Sequence, residues 1–317
     1  MPNAVISGTG SYLPKRVLTN AQLETMLDTS DEWIQSRSGI SNRRIADASE
    51  TTSFMASAAA IHALEASGID SEKIDMILVA TCTPDHFFPN VACHVQQSLK
   101  TSRTIPALDI NVACSGFIYA LDVAKQYITA GAAKHVLVIG SETMSKTVDW
   151  TDRTTCVLFG DGAGAVVLSA GDEPGILGSV LHASFDEKKL LTYENYTMED
   201  KKSLVGMKGN EVFKIAVNLM SEVVDEILAA CKIQASDITW LVPHQANIRI
   251  IHAIAKKLSM PLSQVVVTIQ NHGNTSAASI PLALDTAVRA SQIKRGDVLL
   301  LESFGGGIAW GATAICY

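Results

Sequence analysis

The chain has 317 residues, 47% of them hydrophobic and 18% charged, which supplies apolar surface for one large core or two domains. A formal charge of −7 excludes the dominant basic face that bulk nucleic-acid binding requires, and no apolar run approaches the roughly 20 residues that span a bilayer. Aromatic residues are only 6%, so the apolar content is mainly Ala, Val, Ile and Leu, a mix suited to buried strands covered by Ala-rich helices.

The first residues, Met1 to Gly8, carry neither a charged n-region nor a long apolar h-region, so no secretory signal is expected and the compartment is expected to be the cytoplasm. In chain order, apolar runs predict strands over Ile74–Ala80, Ala107–Val112, Val136–Ile139, Ala163–Leu168, Trp240–Pro243, Val265–Ile269 and Val298–Glu302. Amphipathic runs predict helices over Thr52–Ser67, Ser115–Ala130, Val212–Cys231, Ile248–Leu258 and Ala277–Ala290, the second ending at Gly131 as a helix-stopping glycine. This alternation predicts an α/β fold of sheets with helices on their faces. The polar stretch Asp186 to Lys202, with Glu199-Asp200-Lys201-Lys202 at its end, predicts a solvated connection between two halves, 1–172 and 173–317. Cys82, Cys93, Cys114, Cys156, Cys231 and Cys316 show no C-x-x-C spacing and read as reduced thiols, not as a disulfide framework or a zinc site.

Asp109-Ile110-Asn111-Val112-Ala113-Cys114-Ser115-Gly116-Phe117 sets Cys114 where a strand hands over to a helix. The small residues around it permit a sharp turn and an open approach. A helix start favours the thiolate, which predicts a lowered thiol pKa, and its free N–H groups suit an oxyanion. Thiolates exchange acyl groups with thioesters, so the natural chemistry is acyl transfer. On this segment alone a buried core thiol fits equally well. The other five cysteines lack the turn and read as structural.

Trp240-Leu241-Val242-Pro243-His244-Gln245-Ala246-Asn247 delivers His244 at the end of an apolar strand, although a lone histidine is commonly structural. Asn271-His272-Gly273-Asn274-Thr275-Ser276 leads into a small-residue helix and reads as a turn with a cap, or as a site. The Asn274 amide is a donor that does not titrate, which suits a developing enolate. Glu302-Ser303-Phe304-Gly305-Gly306-Gly307 either brings backbone amides close to a ligand or is a plain turn. Gly160-Asp161-Gly162-Ala163-Gly164 precedes a strand and does not open a helix, which excludes a dinucleotide phosphate loop.

Taken in this order and at these separations, Cys114, Pro243-His244-Gln245-Ala246-Asn247, His272-Gly273-Asn274-Thr275-Ser276 and the glycine loop resemble a β-ketoacyl-acyl-carrier-protein synthase III, an initiating condensing enzyme of type II fatty acid synthesis. The resemblance runs over nearly the entire chain, from Gly8-Thr9-Gly10-Ser11-Tyr12-Leu13-Pro14 through Gly209-Asn210-Glu211-Val212-Phe213-Lys214 to Trp310-Gly311. It implies a thiolase-like fold of two similar halves in five layers, α-β-α-β-α, usually as a homodimer. It implies no metal and no cofactor, acyl-CoA being a substrate. Cys114 would take the acyl group of a short acyl-CoA, with the N–H groups of Cys114 and Gly306 holding the oxyanion. His244 and Asn274 would donate to the enolate formed when malonyl-acyl carrier protein loses CO2, and the product would be a 3-oxoacyl-carrier protein.

The same resemblance matches Trp33 and Arg153 to an adenine sandwich, Arg37 to a phosphate contact, and Phe213, Asn247 and Phe304 to a pantetheine tunnel. Lys214, Arg249, Lys256 and Lys257 match a basic face for the acidic carrier protein, with residues 249 and 256 on one face of a helix. Phe88 matches a ring that closes the acyl pocket of a second subunit and favours short primers. Phe87 beside it, Ser115 where alanine is common, and the unusual segment Ala183–Val205 are departures that leave the primer open. Other readings are a synthase III-like acyltransferase of secondary metabolism, a thiol-dependent thioesterase, and a non-catalytic CoA or carrier-protein binding module. An intact His–Asn pair favours condensation, because simple acyl transfer has less need of enolate stabilisation.

Overall fold

Strands that are apolar on both faces are stable only inside a sheet covered on both sides. With three of this kind at its centre, β1 (Asn3–Tyr12), β2 (Met76–Ala80), β3 (Ala107–Ile110), β4 (His135–Thr143) and β5 (Asp161–Gly171) form one sheet in the order β1-β5-β4-β2-β3. β3, β2 and β4 run parallel, and β5 pairs antiparallel with both β4 and β1. A second sheet takes β6 (Ile176–Ala183), β7 (Trp240–Pro243), β8 (Val298–Gly305) and β9 (Ala309–Cys316) in the order β7-β8-β9-β6, with β7 and β8 parallel and the other pairs antiparallel. The computed structural model describes residues 1–194 and 204–317, so the expected charged run Glu199-Asp200-Lys201-Lys202 lies outside the described residues.

The longer helices are α1 (Asp31–Ser38), α2 (Thr52–Ser67), α3 (Val91–Ser98), α4 (Gly116–Thr129), α5 (Gly209–Cys231), α6 (Ile248–Lys257) and α7 (Ser279–Arg289). α4 and α7 lie between the sheets: Phe117, Leu121, Ile280 and Leu284 pack against Met76, Val138 and Leu168 on one side and Val242, Leu299 and Leu301 on the other. α2 and α3 cover the outer face of the first sheet, where Met55, Ala59 and Val95 meet Ile77, Val79 and Ile139. α5 and α6 cover the second, where Met220, Val223 and Ile254 meet Leu241 and Leu300. The result is five layers, α-β-α-β-α. Along β8 the period of two decides which core each side chain joins: Leu299 and Leu301 face α4 and α7, while Leu300 and Phe304 face α5 and α6. Each such leucine stabilises the fold by about 1.5–3 kcal/mol.

Capping follows the local sequence. Thr51 caps α2, the Asp85 carboxylate accepts from Thr52 N and Ser53 N at 2.9 and 2.8 Å, and the helix stops at Gly68 with φ +67°. α4 stops before Gly131, φ +73°, as expected. The strand expected over Val265–Ile269 does not form. Val265 makes a single bridge to Leu241, and Ile269 already opens a short helix to His272. The Gln245 Oε1 atom accepts the amides of Thr268 and Ile269 at 2.9 and 3.1 Å, so a side chain takes the hydrogen bonds a strand partner would have made.

Candidate active site

Beyond β3 the chain reverses at Ala113, a non-glycine residue at φ +44°, and makes one 3₁₀ turn, Ala113–Ser115, before α4 begins. Such a conformation persists only when its surroundings hold it. Here Ser303 Oγ donates to the Cys114 carbonyl at 2.9 Å, and Ser115 Oγ donates to Ala309 O at 2.9 Å. Both ties run to the second sheet, so Cys114 stands at the seam of the two sheets. Burial pushes the thiol up to about 11, a hydrogen bond with Ser276 pulls it down, and the Glu142 charge pushes it up again. This direction is opposite to the lowering expected from the helix start, and burial, which leaves Cys114 only 8% exposed, is its largest cause.

His244 follows β7, and its N–H extends the β7–β8 ladder to Glu302 O at 2.8 Å. The Gln245 side chain pins the turn beneath it by donating to Pro243 O and Val266 O at 2.8 and 3.1 Å. Burial pushes the imidazole down to about 4, so the ring is neutral at pH 7. His244 Nδ1 lies 2.7 Å from Ser279 Oγ, while Nε2 has no hydrogen-bond partner among the described residues. Asn274 is held by its backbone, donating to Leu158 O at 2.8 Å and accepting from Gly160 N at 3.0 Å. Its Oδ1 accepts from Ser276 N at 2.9 Å, which fixes the amide and leaves Nδ2 as an unused donor.

Cys114, His244 and Asn274 open on one cavity of about 900 Å³, whose wall also includes Ser276, Phe304 and Gly306. Toward solvent the same cavity is lined by Trp33, Arg37, Phe213, Lys214, Asn247 and Arg249. Asn247 Nδ2 donates to Arg37 O at 2.8 Å, and the Arg249 guanidinium lies 4.7 Å from the Phe213 ring centre. Arg153 is outside the wall. It stacks on Trp33 at 5.2 Å and is 3.7 Å from the Asp28 carboxylate, so the expected adenine sandwich is closed upon itself. Lys256 and Lys257 are exposed at the end of α6, away from the cavity wall, and Lys257 pairs with Asp225 at 2.6 Å. Phe88, 87% exposed, does not enter this chain's own cavity.

Cys82, read from the sequence as structural, also lines the cavity. Its Sγ donates to Glu142 Oε1 at 3.3 Å and lies 4.0 Å from Ser276 Oγ. Glu142 further accepts from Thr81 Oγ1 and Cys82 N at 3.1 Å, and burial pushes both Glu142 and Cys82 above their ordinary ranges. The one sequence signal for this cluster is an acidic residue that follows the apolar run of β4, Glu142, itself fully buried. Leu191, Thr192 and Tyr193 supply another wall that no motif announced. Among the described residues no group of three or more His, Cys, Asp and Glu side chains is arranged to hold a metal, and no helix is long and apolar enough to cross a membrane.

Comparison with known proteins agrees along the whole length. The family model for 3-oxoacyl-[acyl-carrier-protein (ACP)] synthase III matches residues 108–184, and the model for the C terminal of that family matches residues 228–317. A β-ketoacyl-[acyl-carrier-protein] synthase III of Coxiella burnetii (strain CbuK_Q154) is 55% identical over 317 residues, 99% of each chain. Its counterpart in Thiobacillus denitrificans (strain ATCC 25259 / T1) is 54% identical over 314 residues, 98% of each chain. The crystal structure of 3-oxoacyl-[acyl-carrier-protein] synthase III from Aquifex aeolicus VF5 superposes with a TM-score of 0.94 at 48% identity, over 99% of this chain and 100% of that one. The chain therefore belongs to the β-ketoacyl-[acyl-carrier-protein] synthase III family, with its thiolase-like fold, and is an acyltransferase, an initiating condensing enzyme of fatty acid synthesis.

Proposed function

We propose that this enzyme joins a short acyl-CoA primer to malonyl-acyl carrier protein through an acyl thioester on Cys114. The Cys114 sulfur attacks the thioester carbonyl, the bond from that carbon to the CoA sulfur breaks, and the proton lost by the cysteine thiol is matched by the one CoA gains on leaving. The N–H groups of Cys114 and Gly306 stabilise the tetrahedral oxyanion. Malonyl-carrier protein then enters the same cavity. Its carboxyl carbon leaves as CO2, the electron pair passes to the thioester oxygen, and His244 and Asn274 donate hydrogen bonds to the resulting enolate. The enolate carbon attacks the acyl carbonyl, the bond from that carbon to the Cys114 sulfur breaks, the departing thiolate takes one proton from solvent to restore the thiol, and the product is a 3-oxoacyl-carrier protein.

One observation carries this reading: a neutral imidazole and an oriented amide each open an unused nitrogen onto the cavity that holds the nucleophile. Neutral donors suffice because loss of CO2 generates the carbon nucleophile without a strong base. Each donor of this kind is worth about 10²–10³ in rate. A pure acyltransferase or thioesterase has less need of the pair.

CoA would lie along Phe213, Asn247 and Phe304, with a phosphate near Arg37 and the adenine on Trp33 after Arg153 swings away. Lys214, Arg249 and Lys256, all exposed, would face the acidic carrier protein; Lys257 would join them by releasing Asp225. The enzyme would be a homodimer of chains whose halves divide at 172 and 173, each Phe88 closing the acyl pocket of the other subunit. Free thiols such as the half-buried Cys82 and the buried Cys114 fit a reducing compartment, the cytoplasm. Cys114→Ala incubated with acetyl-CoA should gain no acyl mass by intact mass spectrometry, while the unaltered enzyme gains one acetyl group; an acetylated Cys114→Ala chain would refute the nucleophile.

A further inference from the structure

The proposed role of His244 leaves one matter open, namely which ring nitrogen carries the hydrogen, and Ser279 decides it. Ser279 opens α7, 35 positions beyond His244, and is 2% exposed. Its hydroxyl oxygen accepts the backbone N–H of Gln245 at 2.8 Å and lies 2.7 Å from His244 Nδ1. A serine hydroxyl has one hydrogen and two lone pairs. The Gln245 N–H occupies one lone pair. Among the described residues, His244 Nδ1 is the one acceptor within reach of the hydroxyl hydrogen. A hydroxyl buried to 2% exposure that left its hydrogen unpaired would lose a hydrogen bond at the cost of a desolvated polar group. The consistent arrangement is therefore Ser279 O–H donating to Nδ1, with the single hydrogen of the neutral ring on Nε2.

Resting on the condensation reading above, we propose that Ser279 is a positioning residue that locks His244 as the Nε2–H tautomer, a hydrogen-bond donor to the enolate and not an acceptor of the Cys114 proton. The opposite tautomer would turn a lone pair toward the cavity. It would repel an enolate oxygen and equip the ring to deprotonate the thiol. Ser279 thus separates the two half-reactions: His244 serves decarboxylation and condensation, and acylation of Cys114 proceeds without it. The logic is that of any catalytic imidazole whose far nitrogen is fixed by a third group.

The tautomer is read directly from ¹⁵N spectra of histidine-labelled full-length enzyme at pH 6–8, with His244→Gln identifying the signals. Nδ1 should show a bare, pyridine-type resonance and Nε2 a hydrogen-bearing one. Ser279→Ala should lower CO2 release from malonyl-carrier protein by about 10- to 100-fold, the usual range for removing a group that orients a functional ligand. Acylation of Cys114 by acetyl-CoA should stay within about twofold, and Ser279→Thr, which keeps the hydroxyl, should restore most of the decarboxylation. A hydrogen-bearing Nδ1 in the unaltered enzyme, or equal loss of both half-reactions in a folded Ser279→Ala, overturns the proposal. An unaltered enzyme that acylates but releases no CO2 would instead refute the condensation reading, and the ¹⁵N assignment is decided independently of that outcome.

Discussion

Gly305 offers the sharpest test of how Cys114, the proposed nucleophile, is held. A Cβ added there would lie 2.8 Å from Cys114 N and 3.2 Å from both Cys114 Cβ and Ser115 N. Ordinary van der Waals contact begins near 3.4 Å, so Gly305→Ala must force the two backbones apart by about 0.6 Å. Neither side yields freely, because Gly305 is paired with Ala309 in the β8–β9 ladder and the Cys114 carbonyl is tied to Ser303 at 2.9 Å. The displacement falls on Cys114, and for a reacting sulfur, its proposed role, a misplacement of about 1 Å costs roughly 100-fold. Acylation should therefore slow by about tenfold or more, with an overpacking loss of about 1–3 kcal/mol. Single-turnover release of CoA from acetyl-CoA measures the first, and thermal melting measures the second. An acylation rate and melting temperature equal to those of the unaltered enzyme would show that the glycine loop does not hold Cys114 in place.

A thiol raised to about 11 should react with iodoacetamide about tenfold faster for each pH unit between 7 and 9, read at the Cys114 peptide by mass spectrometry; a plateau below pH 8 would mean that the helix start, not burial, governs it. Lys256→Glu, which reverses a charge clear of the cavity, should raise the Michaelis constant for malonyl-carrier protein severalfold in a salt-dependent manner while leaving acetylation of Cys114 unchanged; equal damage to both half-reactions would exclude a docking role. Asn274→Asp keeps an oxygen for Ser276 N but replaces the donor with a charge, so CO2 release should fall about 10²-fold, and undiminished release would remove Asn274 from the enolate site.

Much of the layering was legible because it depends on composition and period. The apolar runs within β2, β4, β5 and β8 point to covering layers on both sides, and the small-residue turn at Cys114 already indicated a strand passing into a helix. β1 and β9 were harder to see. Gly8, Gly10 and Gly311 interrupt their apolar patterns, yet they are required because backbone passes where a Cβ would sit; at Gly10 it would meet Ala63 N at 2.3 Å and Ala59 O at 2.4 Å. The false strand at Val265–Ile269 has the opposite cause, a hydrophobic run whose amides are claimed by Gln245, more than twenty residues away in sequence. The thiol of Cys114 was misjudged in sign, since desolvation is a property of the packed site and not of its own segment. Cys82 was missed for the same reason: only folding brings it beside Ser276 and Glu142.

The central claim is that Cys114, His244 and Asn274 together make a carbon–carbon bond. Incubating the enzyme with malonyl-carrier protein and a series of acyl-CoA primers, and weighing the carrier-bound products, tests it directly. A 3-oxoacyl chain two carbons longer than its primer, with release of one CO2, is the predicted result. Free acid, or transfer of the acyl group without elongation, would contradict it.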